Sequence, residues 1–131
     1  MVHCGFRDVV NTTCRRHDEM IAYTSQLMHI IAVSVCDDPE LLSCVGFEGG
    51  SFRDCTRVAA LDVPLWTQLF TLNGAALTDT LERLEGRLRA YREAIACGDT
   101  QLLSAMLASA AGRKRQMNLE QARGDDIRMG F

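Results

Sequence analysis

Residues 77–95 have the sequence LTDTLERLEGRLRAYREAI, in which apolar side chains recur at alternating intervals of four and three. This spacing is typical of a coiled-coil seam, and the seam residues are Leu77, Leu81, Leu84, Leu88, Tyr91 and Ile95. The other face carries acidic and basic residues three and four apart, which can form ion pairs on an exposed helix surface. The segment predicts a long amphipathic helix, which we extend from about Pro64 to Ala96. Asp62-Val63-Pro64 marks its start.

The rest of the chain also has mainly helical periodicity. An apolar helix is predicted from Thr13, its N-cap, to about Val35. Further predicted elements are a short helix started by Asp38-Pro39-Glu40, with proline at its first position, a glycine-rich loop at Gly46–Ser51, a short helix at Phe52–Leu61 and a last helix from Asp99-Thr100 to about Leu119. Only residues 6–13 resemble a strand, and nothing later alternates with a period of two. We therefore predict an all-α fold of about five helices with a short N-terminal strand remnant.

Composition limits the class of protein. The chain has 131 residues, of which 47% are hydrophobic and 24% charged, with two prolines and a net charge of −3. This size fits one domain, and the hydrophobic content excludes a disordered chain. The acidic balance argues against a nucleic-acid partner, because phosphate neutralisation needs a basic face. The segment from residue 120 to 131 is polar, and we expect it to fray.

No apolar run approaches the length of a membrane span, the longest being Ile30–Val35. The N-terminus also lacks the features of a signal peptide. We therefore expect no membrane partner and a soluble, cytoplasmic chain. The six cysteines, at positions 4, 14, 36, 44, 55 and 97, include no CxxC pair and are interpreted as reduced thiols without a metal site.

Several polar residues interrupt the apolar helix. His17 and Asp18 lie near its start, Ser25 and Gln26 lie near its middle, and His29 shares a face with Ser25 four residues earlier. A histidine on an apolar face is commonly a core residue with satisfied hydrogen bonds, and a His-Asp pair at a helix start is commonly a cap. The alternative is that these side chains contact a ligand.

A second group follows the glycine loop, in GGSFRDCTR at residues 49–57. Gly50 allows close approach of the backbone, and Arg53 and Arg57 lie about one helical turn apart. A planar guanidinium can bind both oxygens of a carboxylate, while Asp54 is placed to pair with Arg57. The alternative is a capped helix with surface ion pairs. Trp66, the only tryptophan, suits either a core or a site wall.

The chain has no GxGxxG, P-loop, GxSxG or HExxH motif. The chain thus offers a histidine and also an arginine that could bind a carboxylate, but it has no nucleophile, metal or cofactor motif. These features amount to half of an active site. The residues alone thus indicate a helical module that binds an acidic ligand.

Two runs resemble the C-terminal helical domain of prephenate dehydrogenases. VVNTTCRRHDEMIAYTSQLMH, residues 9–29, is similar to the junction where the last strand of the nucleotide-binding domain leads into a helix with a His-Asp pair. GGSFRDCTRVAALDVPLWTQLFTLN, residues 49–73, is similar to the family's glycine loop, arginine helix and following helix. The resemblance implies the dimerisation domain of a 6-phosphogluconate-dehydrogenase-like enzyme at 14–119, preceded at 1–13 by a remnant of the junction with a Rossmann domain.

The family reaction is the oxidative decarboxylation of prephenate to 4-hydroxyphenylpyruvate in tyrosine biosynthesis. The resemblance implies that Arg57 binds a substrate carboxylate, that His29 contacts the substrate, and that Gly50 and Trp66 line the site. It also implies supporting roles at the wall and the domain junction, for Asp54, Arg53, His17 and Asp18. Some members carry a second histidine where Gln26 stands, which leaves open prephenate or arogenate as substrate.

In such enzymes the Rossmann domain binds NAD or NADP and supplies the catalytic histidine, so the resemblance implies no catalytic residue, bound cofactor or turnover in this chain alone. It implies a homodimer, which agrees with the seam, and tyrosine as a further ligand. The competing interpretation is a dimerisation module without ligand contacts.

Overall fold

The computed structural model describes residues 10–129, with side chains through Asp125. Its α-helices are α1 (Cys14–Ile21), α2 (Leu27–Cys36), α3 (Gly50–Thr56), α4 (Val63–Leu72), α5 (Gly74–Ala96) and α6 (Thr100–Met129). A π-helical turn at Ala22–Gln26 joins α1 to α2, and 3-10 turns occupy Pro39–Cys44 and Arg57–Ala59. The described residues contain no strand, so the predicted all-α class is confirmed.

The chain divides after Arg83, within α5, into two compact units. The first holds α1 to α4 and the beginning of α5, and every residue that the sequence singled out for a site lies in it. Within this unit, α2 packs against α3 and against the 3-10 turn Arg57–Ala59. The second holds the rest of α5 and α6, where the Tyr91 hydroxyl lies 3.5 Å from the Met106 carbonyl oxygen.

The predicted helix starts are confirmed where a side chain caps the backbone. The side-chain oxygens of Thr13, Asp38, Asp62 and Asp99 each accept a bond from a backbone N–H two or three residues later, at 2.9–3.1 Å. Gly98 ends α5 with a positive φ of 67°, a conformation that favours glycine. These signals are local, which is why the sequence alone locates them.

The single long helix predicted from Pro64 to Ala96 is wrong, because Asn73 divides it into α4 and α5. Asn73 leaves helical geometry with φ −105° and ψ 28°. Its backbone N–H closes the last turn of α4 on Leu69, and its carbonyl accepts from Leu77 to open the first turn of α5. Its side-chain Nδ2 donates to the backbone carbonyl of Asp18 in α1 and to Oε1 of Gln26 in the π-helical turn. Asparagine favours such breaks because its amide competes with helical hydrogen bonds.

The predicted C-terminal boundary also differs from the structure. The last helix does not end near Leu119, since α6 continues to Met129, while fraying of the segment 120–131 stays a prediction. No proline interrupts this segment, and Gln116 and Arg123 both contact Glu120 along the helix surface. At the other terminus, residues 10–13 have no regular secondary structure, and the rest of the predicted strand lies outside the described residues.

Few hydrophobic side chains are buried among the described residues. The buried ones are Ala22, Leu27, Ala32, Leu77 and Ala94. The exposure of the seam residues increases along α5. Leu77 is 4% exposed, whereas Leu88 and Ile95 are 58% and 63% exposed. Other large apolar residues are exposed as well, such as Tyr23, Met28 and Phe47. The described chain thus leaves much apolar surface uncovered.

One helical stretch of the described residues, Cys14–Cys36, is long and apolar enough by length and composition to cross a membrane. This differs from the expectation drawn from uninterrupted apolar runs, because the mean hydropathy tolerates the polar residues within the stretch. The core helix of a soluble protein passes the same test, so the finding is weak support for a membrane span.

Candidate functional site

His29 lies in the first turn of α2, directly after the π-helical turn. Its Nδ1 is 2.9 Å from the backbone carbonyl oxygen of Ser25, one turn earlier. Because a carbonyl can only accept, Nδ1 must carry the proton, and Nε2 is then the acceptor nitrogen of the neutral ring. Ser25 therefore acts on His29 through its backbone. Its hydroxyl makes no hydrogen bond within the described residues.

The imidazole of His29 also stacks on Trp66 of α4. The ring centroids are 3.7 Å apart and the planes differ by 22°. Trp66 in turn contacts Phe70 one turn later, with centroids 5.4 Å apart. Both His29 and Trp66 are partly exposed. The pair is thus a partly open aromatic wall that carries one polar edge, the combination expected where a planar ligand meets a protein.

Arg57 begins the 3-10 turn that packs against α2, the helix of His29. Its side chain is exposed, and no acidic group of the described residues forms an ion pair with it. The predicted pairing with Asp54 is wrong, although both side chains lie on the same short segment. The backbone turns from α to 3-10 geometry at Thr56, which changes the spacing of the two residues, and water competes for an exposed pair. The guanidinium therefore keeps its donors free for an anion.

The glycine loop ends where Gly50 begins α3, and a hydrogen bond from Arg53 N–H to Gly49 C=O closes the first turn. The carboxylate of Glu48 accepts from the backbone N–H of Gly46 at 2.5 Å. Backbone hydrogen bonds at Glu48 itself and at Gly46, with a smaller contribution from the Arg53 guanidinium, hold the pKa of Glu48 below its ordinary value. Gly46 has a φ of 92°, so a larger residue there would strain the loop. The loop that precedes Arg57 is therefore fixed by the chain itself.

His17 and Asp18 are neighbours near the start of α1, with His17 Nδ1 3.4 Å from Asp18 Oδ1. Both side chains are more than half exposed. Asp18 also contributes its backbone carbonyl, which accepts a hydrogen bond from Asn73. The predicted role of this pair at a domain junction concerns residues beyond the described part of the chain and stays a prediction.

Gln26 has partners within the fold and does not face a ligand. Its side chain is 5% exposed, its Nε2 lies 3.3 Å from the Leu69 carbonyl oxygen, and its Oε1 accepts from Asn73 at 2.8 Å. The prediction that Gln26 contacts substrate is therefore corrected. Sequence reasoning missed Asn73, whose only signal is an Asn-Gly pair within an otherwise helical pattern.

A cleft of about 1000 Å³ opens between α1 and the first turns of α5. Its charged side chains balance, with three arginines and three acidic residues: Arg15, Arg16, Arg83, Asp18, Glu19 and Asp79. Arg15 pairs with Glu19 at 3.0 Å, and Arg83 pairs with Asp79 at 3.3 Å. Because these arginines already have acidic partners, the cleft is a poorer anion site than the surface around Arg57.

Within the described residues, no group of three or more His, Cys, Asp or Glu side chains is placed to hold a metal ion. The cysteines in this part of the chain are free thiols, at positions 14, 36, 44, 55 and 97. Cys4 lies outside the described residues.

Comparison with known proteins assigns the fold to a family. Residues 13–109 match the family described as prephenate dehydrogenase, dimerization domain, and the chain belongs to this family. A cyclohexadienyl dehydrogenase of Zymomonas mobilis is 35% identical over 97 residues, which cover 70% of this chain and 33% of that protein. The chain thus spans about a third of that relative, and the predicted resemblance is confirmed.

Two solved structures share the fold. Synechocystis arogenate dehydrogenase aligns with a TM-score of 0.73 and 21% identity, over 84% of this chain and 42% of that one. The prephenate dehydrogenase of A. aeolicus, in complex with hydroxyphenyl propionate and NAD+, aligns with a TM-score of 0.69 and 25% identity, over 83% and 40%. This chain therefore shares its fold with a part of each of these two dehydrogenases.

Proposed function

We propose that this chain is the substrate-binding and dimerisation part of an enzyme that converts prephenate to 4-hydroxyphenylpyruvate in tyrosine biosynthesis. The observation that carries the proposal is the arrangement around α2. His29 is stacked on Trp66 with its proton fixed on Nδ1, while the same helix packs against the turn that carries the unpaired Arg57. A flat surface with a polar edge and a nearby guanidinium suits a ring that carries carboxylates.

In the proposed reaction, a hydride leaves the ring carbon that bears the hydroxyl, and the hydroxyl proton passes to a base. The bond between the ring and its carboxylate then breaks, carbon dioxide departs, and the electron pair of that bond completes the aromatic ring. The ring oxygen takes the proton back from the base, which gives the phenol of 4-hydroxyphenylpyruvate. We assign this chain only the binding steps. Arg57 holds a carboxylate, His29 offers Nε2 to a substrate hydroxyl or carboxyl group, and Trp66 and Gly50 line the site.

NAD or NADP, the hydride acceptor of this proposal, does not fit the described residues. A dinucleotide pyrophosphate is commonly held at a glycine-rich turn between a strand and a long helix. The described residues have no strand, and the helix after Gly49 has only seven residues. We therefore assign the cofactor and the general base to a Rossmann domain outside this chain, and expect no turnover from this chain alone.

We further propose that the active form is a homodimer in the cytoplasm. The family is described by its dimerization domain, and the uncovered apolar faces, including Leu88 and Ile95, are what a second copy would cover. A second copy would also cover the exposed apolar side chains of Cys14–Cys36. The cytoplasmic location and the lack of a membrane or nucleic-acid partner stay predictions, which cell fractionation and binding assays can test.

The second candidate substrate is arogenate, whose amino acid side chain replaces the pyruvyl group of prephenate. The fold is shared with an arogenate dehydrogenase as well as with a prephenate dehydrogenase. Gln26 is buried, so it offers no contact that would discriminate between the two side chains. Comparing kcat/KM for the two substrates, with NAD and with NADP, decides between the candidates.

The proposal is tested by Arg57→Ala in the full-length enzyme. Loss of a charged hydrogen bond is expected to cost about 2–4 kcal/mol of transition-state binding, or roughly 30- to 900-fold in kcat/KM. Arg57→Lys keeps the charge but not the two-pronged geometry, so it should recover only part of the loss. Arg113→Ala, an exposed arginine on α6, serves as the control. An unchanged kcat/KM in Arg57→Ala would remove this residue from the site.

A dimerisation module without ligand contacts makes a different prediction. A ligand that binds only the folded state raises its melting temperature by mass action. Prephenate, arogenate or tyrosine should therefore raise the Tm of the full-length enzyme, and Arg57→Ala should reduce the shift for the substrates. If none of the three raises the Tm, the module interpretation is favoured.

A further inference from the structure

We propose that Asn73 is a positioning residue for His29, a role that rests on the proposed function of His29 as a substrate contact. Asn73 lies between α4 and α5 and touches neither ring of the His29–Trp66 stack. Its side chain instead holds the π-helical turn from which α2 emerges. The orientation of His29 would thus depend on a carboxamide that the reaction itself does not use.

The carboxamide of Asn73 links the junction of α4 and α5 to two residues of the chain that lie 55 and 47 positions earlier. Its Nδ2 donates to the backbone carbonyl of Asp18, at 3.0 Å, and to Oε1 of Gln26, at 2.8 Å. Gln26 passes the connection on, since its own Nε2 donates to the carbonyl of Leu69 in α4 at 3.3 Å. Asn73 therefore contacts α1 at Asp18, before the π-helical turn, and contacts Gln26, the last residue of that turn.

The orientation of both amides is fixed by the chemistry of their partners. The carbonyls of Asp18 and Leu69 can only accept, so the NH₂ group of each amide must face them. Oε1 of Gln26 then remains as the acceptor for the second proton of Asn73. Reversing either amide would bring two acceptor oxygens together. Each amide can therefore make these hydrogen bonds in only one orientation, and the side chain of Gln26 makes them while buried.

The π-helical turn needs external support because it departs from the regular α-helix. Leu27 N–H bonds to the carbonyl of Ala22, five residues earlier, where an α-helix would bond to the fourth. Such a turn accommodates one extra residue, and one residue corresponds to about 100° of rotation in an α-helix. If the turn relaxed to α geometry, the side chains of α2 would rotate around the axis, and His29 would leave the face that meets Trp66.

The amide network and the aromatic stack lie on one helix pair in one register. Gln26, at the end of the π-helical turn, contacts Leu69 of α4. His29, three residues after Gln26, contacts Trp66, three residues before Leu69. This is the order of contacts in an antiparallel pair, with about 4.5 Å of helix rise between them. A change of register at the first contact is therefore transmitted to the second.

The experiment uses the spectroscopic signature of the stack in the 131-residue chain, without substrate. The indole ring current displaces the imidazole proton resonances of His29 upfield, and His29→Gln assigns them among the three histidines of the chain. Asn73→Asp has nearly the same shape but sets a carboxylate oxygen against two acceptors. We expect the His29 resonances to move back towards the chemical shifts of an exposed histidine. Circular dichroism should show that the helices are retained. Asn118→Asp, on the exposed surface of α6, should leave it unchanged.

Asn73→Ala, which removes both donors without adding a charge, gives the same measurement if Asn73→Asp does not fold. A folded variant of either kind that keeps the full upfield displacement overturns the proposal. Failure of both variants to fold also overturns it, because Asn73 would then support the whole unit and not the orientation of one ring. The measurement needs no substrate, so it can succeed where the Arg57 kinetics fail, and the two proposals are tested separately.

Discussion

The imidazole of His29 lies face to face with the indole of Trp66, with ring centroids 3.7 Å apart. The ring is restrained at two places, by the indole on its face and by the Ser25 carbonyl at Nδ1. These restraints leave Nε2 as the one polar atom of the ring without a partner in the described residues. A histidine held in this way is preorganised for one contact, which reduces the entropy lost when a ligand binds.

Under the proposed function, replacing Trp66 should therefore impair substrate binding through His29. Aromatic pairs contribute about 0.5–1.5 kcal/mol beyond the area they bury, so Trp66→Ala in the full-length enzyme should lower kcat/KM by roughly 2- to 13-fold, with a further loss from missing packing. Trp66→Phe keeps an aromatic face and should retain most of the activity. Steady-state kinetics measure both. A Trp66→Ala enzyme with normal kcat/KM would show that the stack has no role in the reaction.

The sequence located those features that depend on neighbouring residues. Thr13, Asp38, Asp62 and Asp99 begin their helices as predicted, because a cap needs only a side-chain oxygen and a backbone N–H two or three residues away. The glycine loop and a short helix after it are also predicted from neighbouring residues. The predicted bounds Phe52–Leu61 are wrong, because the segment forms α3 at Gly50–Thr56 and then the 3-10 turn Arg57–Ala59, which the sequence does not indicate.

The features that the sequence did not reveal depend on distant residues. Asn73 divides a helix that periodicity alone would continue, and its partners Asp18 and Gln26 lie 55 and 47 residues away. Gln26 was predicted to contact a ligand because it is polar within an apolar helix, but its partners come from α4 and the turn after it. The π-helical turn has no established sequence signal, since its bonds differ from those of an α-helix by one residue.

Glu48 should make the glycine loop sensitive to acid. Its pKa in the folded chain lies below the ordinary value of 4.5, because backbone N–H groups and Arg53 stabilise the carboxylate. A carboxyl group with a lowered folded pKa contributes stability above its unfolded pKa and loses it as the pH falls through the folded value. Stability should therefore decline below pH 4.5, and Glu48→Gln should weaken this decline.

Chemical denaturation across this pH range measures the effect as the free energy of unfolding against pH. Glu82→Gln, an exposed carboxyl of α5, is the matched control. The Glu48→Gln and control curves should differ in slope below pH 4.5 and run parallel above pH 6. Parallel curves throughout would mean that the loop hydrogen bonds do not couple to folding.

The exposed end of the seam should mediate association of two chains. Leu88 and Ile95 lie seven residues apart, the repeat of a coiled-coil face, and more than half of each side chain is exposed. A charge placed on an apolar interface must be desolvated without a partner when the dimer forms, which is costly. Leu88→Glu and Ile95→Glu should therefore each weaken dimerisation at least about tenfold, the effect of some 1.4 kcal/mol. Arg89→Glu, an exposed residue about 100° around the same helix from Leu88, should leave the dimer intact. Sedimentation equilibrium over a range of concentrations gives the dissociation constants, and dimers of unchanged affinity in both seam variants would place the interface on another surface.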